Sequence, residues 1–276
     1  MILQQIIEHL YDRPSGSYDL DDAQNAVEQL KAALNRGDVR AAEFVNGSWK
    51  VNAWVKKGIL LAFRIGVLDD QSAGEFPFFD KNTMSLKAFA AATNVRIVPG
   101  GTAIRDGAFV APGVIIMPPS YINIGACVDE GTMIDSHALV GSCAQIGKRV
   151  HVSAGTQIGG VLEPIGSLPV IVEDEAFIGG NCGLYEGVLV KRRAVLGAGV
   201  IITGSTPLYD IPNGTVYRRT GDMPLTIPEG AVVVAGSRTI DHPFAKQHGL
   251  AHYTPVIIKY RDGKTDASAV LEESLR

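Results

Sequence analysis

The middle of the chain carries an aliphatic residue at every sixth position. Ile104, Val110, Ile116, Ile122, Val128, Ile134, Val140, Ile146, Val152 and Ile158 stand six apart, and all ten are β-branched. The count slips once and resumes at Val172, Ile178, Leu184, Val190, Leu196 and Ile202. Fourteen positions separate Ile158 from Val172, two more than twelve, so 159–171 holds an excursion from the repeat. Four residues after each anchor comes a small or β-branched residue, as at Ala108, Ser120, Ala126, Thr132, Ala144, Cys182 and Ala194. Glycine often follows the anchor directly, as at Gly141, Gly147, Gly159, Gly179 and Gly197.

Six is not a helical period, but it fits strand alternation broken by a tight corner. Each hexapeptide then supplies one short strand and one turn, with the aliphatic anchor inward and glycine taking the strained backbone of the corner. Three hexapeptides close a triangular coil of about 18 residues, and stacked coils pair through parallel ladders. From Ile104 to Leu208 this predicts about six coils of a parallel β-helix. The period does not fix the hand of the coil, and the general crossover rule would favour a right-handed one.

The first 95 residues follow a helical pattern instead. Ile2, Leu3, Ile6, Ile7 and Leu10 lie at helical spacing, and a second helix is predicted over about 21–36 with Ala26, Val27, Leu30, Ala33 and Leu34 on one face. Asp19 or Asp21 can cap its start and Gly37 can end it. Residues 47–65 read as a short turn and a further apolar helix, with Trp49 and Trp54 in core packing. Beyond Leu208 the pattern predicts short strands and turns that continue or cap the stack, because an open coil end exposes unpaired strand edges. A helical or frayed tail follows from about residue 266. The expected units are a helical domain at 1–95, the β-helix at 96–209 and a β-rich cap and tail at 210–276.

Composition narrows the functional classes. A net charge of −4 gives no footprint for nucleic acid or an anionic membrane surface. No apolar run approaches the roughly 18 residues that span a bilayer. The N-terminal stretch MILQQIIEHLYDRP lacks a signal layout, and Cys127, Cys143 and Cys182 show no CxxC spacing, so a cytoplasmic protein with reduced, near-core thiols is expected.

Residues 117–164, from Met-Pro-Pro-Ser-Tyr-Ile-Asn-Ile-Gly to Gly-Gly-Val-Leu-Glu-Pro, resemble the signature of the tetrahydrodipicolinate N-succinyltransferase family. Trp49-x4-Trp54-x-Lys56-Lys57, Phe79-Asp80-Lys81 and Arg96-Ile97-Val98-Pro99 extend the resemblance over nearly the whole chain. The resemblance implies a left-handed parallel β-helix and a homotrimer with active sites between subunits. It implies no tightly bound cofactor and no metal, but succinyl-CoA, or acetyl-CoA, as co-substrate. The acceptor would be the amino group of an acyclic keto-amino dicarboxylate formed by hydration of tetrahydrodipicolinate, a step of diaminopimelate and lysine biosynthesis.

By the same resemblance, Asp135 in Met-Ile-Asp-Ser-His meets the substrate amine as base or orienter, with Ser136 beside it. Asp135 follows anchor Ile134 directly and should point outward; the competing role is a corner aspartate bonded to nearby backbone. Arg96 matches an arginine that holds a substrate carboxylate, which a planar guanidinium can grip with two hydrogen bonds. The chain departs from the family in two places. A usual glutamate falls on Gly183, while Glu186 aligns with a second glutamate of that motif, and a usual tryptophan is His137. Three explanations compete: Asp135 alone suffices, Glu186 or His137 takes the proton, or the chain is a paralogue with a shifted substrate. Three residues along a strand is roughly 10 Å, which argues against Glu186 as a simple stand-in.

For CoA, Gly199, Gly204, Ala235 and Gly236 are expected close-approach positions, with Lys259 at the nucleotide end. Lys191-Arg192-Arg193, Arg218-Arg219 and Arg238 are further partners for phosphate. Rival readings keep the fold and change the role. A zinc-dependent hydratase of hexapeptide type needs three histidines, and only His137 and His151 lie in the repeat. A non-catalytic scaffold, or a paralogue serving a lysine-like specialised pathway, stays open.

Overall fold

The computed structural model describes residues 2–221 and 223–263. Helix α1 (Leu3–Tyr11), helix α2 (Leu20–Arg36) and helix α3 (Ala53–Ile65) form an N-terminal layer around Ile7, Leu10, Val27, Leu30, Ile59 and Leu61. Ile2 stands outside α1 and is exposed. The Asp19 carboxylate accepts the N–H groups of Asp21 and Asp22 at 2.8 and 3.1 Å, and Gly37 ends α2 at φ 76°. A Cβ on Gly58 would lie 2.2 Å from Leu30, so glycine sets the close crossing of α2 and α3. Between them, Ala42–Val45 and Ser48–Val51 pair as an antiparallel hairpin where a turn alone was expected. A second small hairpin, Leu68–Asp70 with Phe79–Lys81, links this layer to the prism.

The prism has three faces of two-residue parallel strands. The first face stacks 103–104, 121–122, 139–140, 157–158, 183–184 and 201–202. The second stacks 109–110, 127–128, 145–146, 171–172, 189–190 and 226–227. The third stacks 96–97, 115–116, 133–134, 151–152, 177–178 and 195–196, then continues into Ala231–Thr239. All sixteen anchors are buried in one continuous core. The N-terminal layer covers the second face and the edge before it, where Ile124 and Cys143 join the helical core.

Glycine has two separate duties at the corners, unlike the single one expected. Each corner is a β-turn such as Asp135–138, closed by Ala138 N–H on Asp135 O at 3.2 Å. Outside 117–120, where Pro119 holds the seat, its left-handed residue is the third after the anchor: Gly107, Gly113, Gly125, Gly131, Gly155, Gly187 and Gly199, but also His137, Cys143, Arg149, Glu175, Asn181 and Arg193. The glycines directly after anchors are not left-handed. They are there for space: a Cβ on Gly141 would lie 2.2 Å from Gly160 N, and one on Gly179 would lie 2.6 Å from Leu196 O.

Two excursions leave the same edge, between the first and second faces. Gln145 pairs with Ile171, whereas Cys127 pairs with Gln145, so the first excursion adds eight residues to a single corner rather than two to a pair of hexapeptides. The second runs over 203–225. Leu208 is buried in the prism core but does not take the next seat on the second face; Ile227 does, opposite Val190. The ladders therefore run past residue 209, through Val233 opposite Leu196. Strands Ala231–Thr239 and Ala251–Tyr260 then form a long antiparallel arm with the short helix Pro243–Gln247 at its tip. The stretch from about residue 266 lies outside the described residues.

Candidate active site

Asp135 stands on the edge between the third and first faces, which bears no excursion. It is half-buried, and its Oδ1 accepts the Ser136 N–H at 2.7 Å. Its main chain is fixed from both sides: Asp135 N–H donates to Val152 O at 2.9 Å, and the buried Ser120 hydroxyl reaches Asp135 O at 2.8 Å. His137 holds the left-handed seat of the same turn at φ 62°, exposed, with its N–H on Pro119 O at 2.5 Å. Arg96 is exposed in the outward row of the third face, paired with Ile115, which pairs with Met133. Two strand spacings, about 10 Å, separate its row from that of Met133, two residues before Asp135.

The same edge carries Gly199, three strand spacings or about 14 Å further up the third face. Gly199 is left-handed at φ 74°, with open space where a Cβ would project. Ala235 and Gly236 lie one strand beyond, in the arm, paired with Pro255 and Thr254. Gly236 is explained by the arm itself, since a Cβ there would lie 2.7 Å from Val256. Lys259, opposite Val232, pairs with Asp262 at 3.1 Å.

Glu186 and Gly204 stand on a different edge, the one with both excursions. Gly183–Leu184 is only two residues long, so the chain has turned the corner before Glu186 and the linear 10 Å argument does not apply. The exposed Glu186 carboxylate accepts the Gly204 N–H at 3.0 Å. Three adjoining hollows of about 390, 400 and 430 Å³ between the excursions all share Glu186 and Arg219. One chain therefore groups Arg96, Asp135, Ser136, His137 and Gly199 on one side, and Glu186 with Gly204 on another.

Tyr185 was missed from the sequence. It lies against Gly159 and Gly183: a Cβ on Gly183 would meet its ring at 2.6 Å and its hydroxyl at 3.0 Å, and a Cβ on Gly159 would meet the ring at 2.8 Å. The two glycines seat the aromatic ring where a side chain at 183 would otherwise project. Nothing in the six-residue period marks a ring folded back over its own strand.

The basic residues proposed for phosphate are mostly engaged. Lys191 pairs with Glu173 at 3.0 Å and Arg192 with Glu229 at 2.9 Å. Trp49 is half-buried and donates its indole N–H to Glu173 at 2.9 Å, so it serves a polar contact as well as packing. The cysteines offer no nucleophile. All three are buried, and burial pushes the Cys127 and Cys143 thiols up to about 12 and raises Cys182. Among the described residues no group of three or more His, Cys, Asp or Glu side chains is placed to hold a metal ion. No helix among them is long and apolar enough to cross a membrane.

A prism of hexapeptide turns with an aliphatic core and polar side chains at its edges defines a hexapeptide-repeat protein. A family model described as tetrahydrodipicolinate N-succinyltransferase N-terminal matches residues 2–65, and one described as hexapeptide repeat of succinyl-transferase matches residues 169–204. A 2,3,4,5-tetrahydropyridine-2,6-dicarboxylate N-succinyltransferase from Psychrobacter arcticus is 45% identical, with 100% of this chain and 99% of the relative covered. Another of that name from Alkalilimnicola ehrlichii is 48% identical over 91% of this chain and 89% of its own length. The chain belongs to the tetrahydrodipicolinate N-succinyltransferase family. Its fold, the left-handed parallel β-helix of hexapeptide proteins, is shared with a putative 2,3,4,5-tetrahydropyridine-2-carboxylate N-succinyltransferase from Campylobacter jejuni. The TM-score is 0.50 at 14% identity, over 89% of this chain and 64% of that one.

Proposed function

We propose that the protein transfers a succinyl group from succinyl-CoA to the amino group of 2-amino-6-oxopimelate, the ring-opened hydrate of tetrahydrodipicolinate, in diaminopimelate and lysine biosynthesis. The observation that carries this reading is 45% identity to a named succinyltransferase over the whole chain, with Asp135 and Arg96 two strands apart on the same side of the prism.

Arg96 grips a carboxylate and Asp135, steadied by Ser136 N–H, faces the ammonium. Asp135 takes the proton, because only the free amine is nucleophilic. The amine nitrogen then attacks the thioester carbonyl, the carbon–sulfur bond breaks, and the CoA sulfur leaves and is reprotonated. No acyl-enzyme is required, in keeping with three buried thiols. Holding amine and thioester together replaces several kcal/mol of entropy cost, on the order of 7–11 kcal/mol at best.

CoA, in this reading, follows the Asp135 edge past Gly199 towards Ala235, Gly236 and Lys259, in the cleft between two prisms of a cytoplasmic homotrimer. Supporting this, the two faces that meet at Asp135 show partly exposed apolar rows, Ile115, Met133 and Phe177 on one and Tyr121, Leu139 and Ile201 on the other. This chain's own helical layer covers the remaining face. Packing of prisms would also give Glu186 of one chain a route to Asp135 of another, which a single chain does not provide.

Tyr185 over Gly183 favours a second reading within the same chemistry, a paralogue with a shifted acceptor or donor. Free-thiol release separates the readings. Expected is CoA release from succinyl-CoA that depends on tetrahydrodipicolinate. Equal or faster release from acetyl-CoA would move the reading to the paralogue, and acyl-CoA binding without transfer to any amine would leave only a scaffold.

A further inference from the structure

Arg219 faces all three hollows between the excursions. Its one hydrogen bond among the described residues runs from Nε to Gly221 O at 3.4 Å, and it enters no ion pair among them. Both terminal guanidinium nitrogens are therefore without a protein partner, on an exposed side chain. Two acids, Glu163 and Glu186, line the same space and do not pair with it. Glu186 turns to the Gly204 N–H at 3.0 Å instead. On the edge between the second and third faces the cations are engaged: Arg149 pairs with Glu175, Lys191 with Glu173 and Arg192 with Glu229, at 2.8, 3.0 and 2.9 Å.

The walls around Arg219 are fixed. It follows the strand Thr215–Tyr217, which pairs with Leu208–Asp210. Asp210 is buried, and its carboxylate accepts the Tyr260 O–H at 2.6 Å and the Asn213 side-chain amide at 2.9 Å, which ties this hairpin to the arm. After Arg219, Thr220 and Met223 exchange main-chain hydrogen bonds at 3.2 and 3.0 Å. Across the hollow, Ser167 lines two of the three, and its carbonyl accepts the Nζ of the fully buried Lys56 at 2.6 Å. A frame held from both sides loses little freedom when a ligand enters.

Charge states the ligand class. Arg218 and Arg219 are matched in number by Glu163 and Glu186, so the hollows hold no excess positive charge for a diphosphate. A single carboxylate needs none, because a planar guanidinium takes it with two parallel hydrogen bonds. Ser167, Thr203 and Tyr185 add hydroxyls to the same lining. This differs from the phosphate role that the basic Arg218-Arg219 pair suggests in the sequence.

We infer that Arg219 grips a carboxylate of the reacting substrates. This rests on the function proposed above, since packing that brings Glu186 of one chain towards Asp135 of another brings Arg219 with it. Two carboxylates are available there: the free end of the succinyl group, and the acceptor carboxylate that Arg96 does not hold.

Steady-state thiol release by the full chain tests this with two variants. Arg219→Gln removes the charge, and Arg219→Lys keeps the charge and removes the fork. Arg219→Gln should raise KM by about tenfold or more for one substrate, with kcat changing less. If the succinyl end is held, the rise falls on succinyl-CoA, and inhibition by free CoA, which carries the phosphates and no acyl carboxylate, stays unchanged. If the acceptor carboxylate is held, the rise falls on tetrahydrodipicolinate. Arg219→Lys should recover part of either loss. The assignment is overturned if neither KM rises, or if free CoA weakens as an inhibitor by the same factor as succinyl-CoA weakens as a substrate. It is overturned equally if both KM values rise together with a fall in Tm, which a merely structural role would give. Absence of transfer by the unaltered chain removes the proposed function and this assignment with it, whereas transfer with unaltered KM values in Arg219→Gln removes the assignment alone.

Discussion

Two edges of one prism are built from the same turn and end up with different capacities. The Asp135 edge repeats its corner without insertion from 117–120 to 197–200, so its side chains stand in a ladder at strand spacing. The edge between the first and second faces throws out 159–170 and 203–225, and between them Glu186, Tyr185 and Arg219 line a concave surface. A regular edge places groups at fixed intervals, and in the function proposed above a second prism completes the site there. An edge with excursions makes its hollow within one chain. The acid that a single-chain reading would pair with Asp135 lies on the other kind of edge, and this separation is the strongest structural argument for a site shared between subunits.

The largest test of that contrast removes the acid from the regular edge. Asp135→Ala should lower kcat by about 10²–10⁴-fold, the usual range for a positioned base. Melting should change little, because the backbone bonds of Asp135 to Val152, Ser120 and Ala138 do not need the carboxylate. Near-normal turnover would take Asp135 out of the chemistry and return it to the role of a corner residue bonded to Ser136 N–H.

The next effect belongs to the other edge. Gly183→Glu, which restores the usual family residue, should destabilise by about 1–3 kcal/mol, because its Cβ meets the Tyr185 ring and Ile201. Adding Tyr185→Ala should recover most of the loss, a coupling that thermal melts of the two single variants and the double variant would read. If the double variant melts no higher than Gly183→Glu alone, Tyr185 is not what excludes a side chain there. If it also raises turnover with tetrahydrodipicolinate, the ring is what tuned this chain away from its relatives.

How much of this was legible beforehand follows from the physics of each part. The anchors were readable because burial demands an aliphatic side chain at each inward seat, and all sixteen are inside. The Asp19 cap and the Gly37 stop were readable for the same local reason. The excursions were only half readable. A slip in the count shows that the chain leaves the prism, but not which edge it leaves from or where it returns, so Leu208 took the place that Ile227 holds. Glycine roles were merged because φ and close approach leave the same letter in a sequence. Tyr185 was illegible because its ring folds back over its own strand onto Gly183 and Gly159, which a six-residue period does not mark. The seat of Trp49 against Ile171 and Leu189 was illegible for a different reason, since elements distant in sequence bring them together.

The smallest effect is expected at His137, where the two roles offered for one residue pull in opposite directions. Its φ of 62° is a seat that glycine fills at seven equivalent corners, and a left-handed non-glycine residue costs about 1 kcal/mol or more. Glycine also gains freedom in the unfolded chain, which offsets roughly half of that. His137→Gly should therefore raise stability by about 0.5 kcal/mol, one or two degrees in Tm, because the exposed imidazole gives up little packing. A fall in Tm would show that the ring makes contacts that stabilise the corner. The pH–rate profile of the same variant separates chemistry from geometry: with Asp135 as base its limbs stay where they are, and loss of a limb near neutrality would assign the proton to His137 instead.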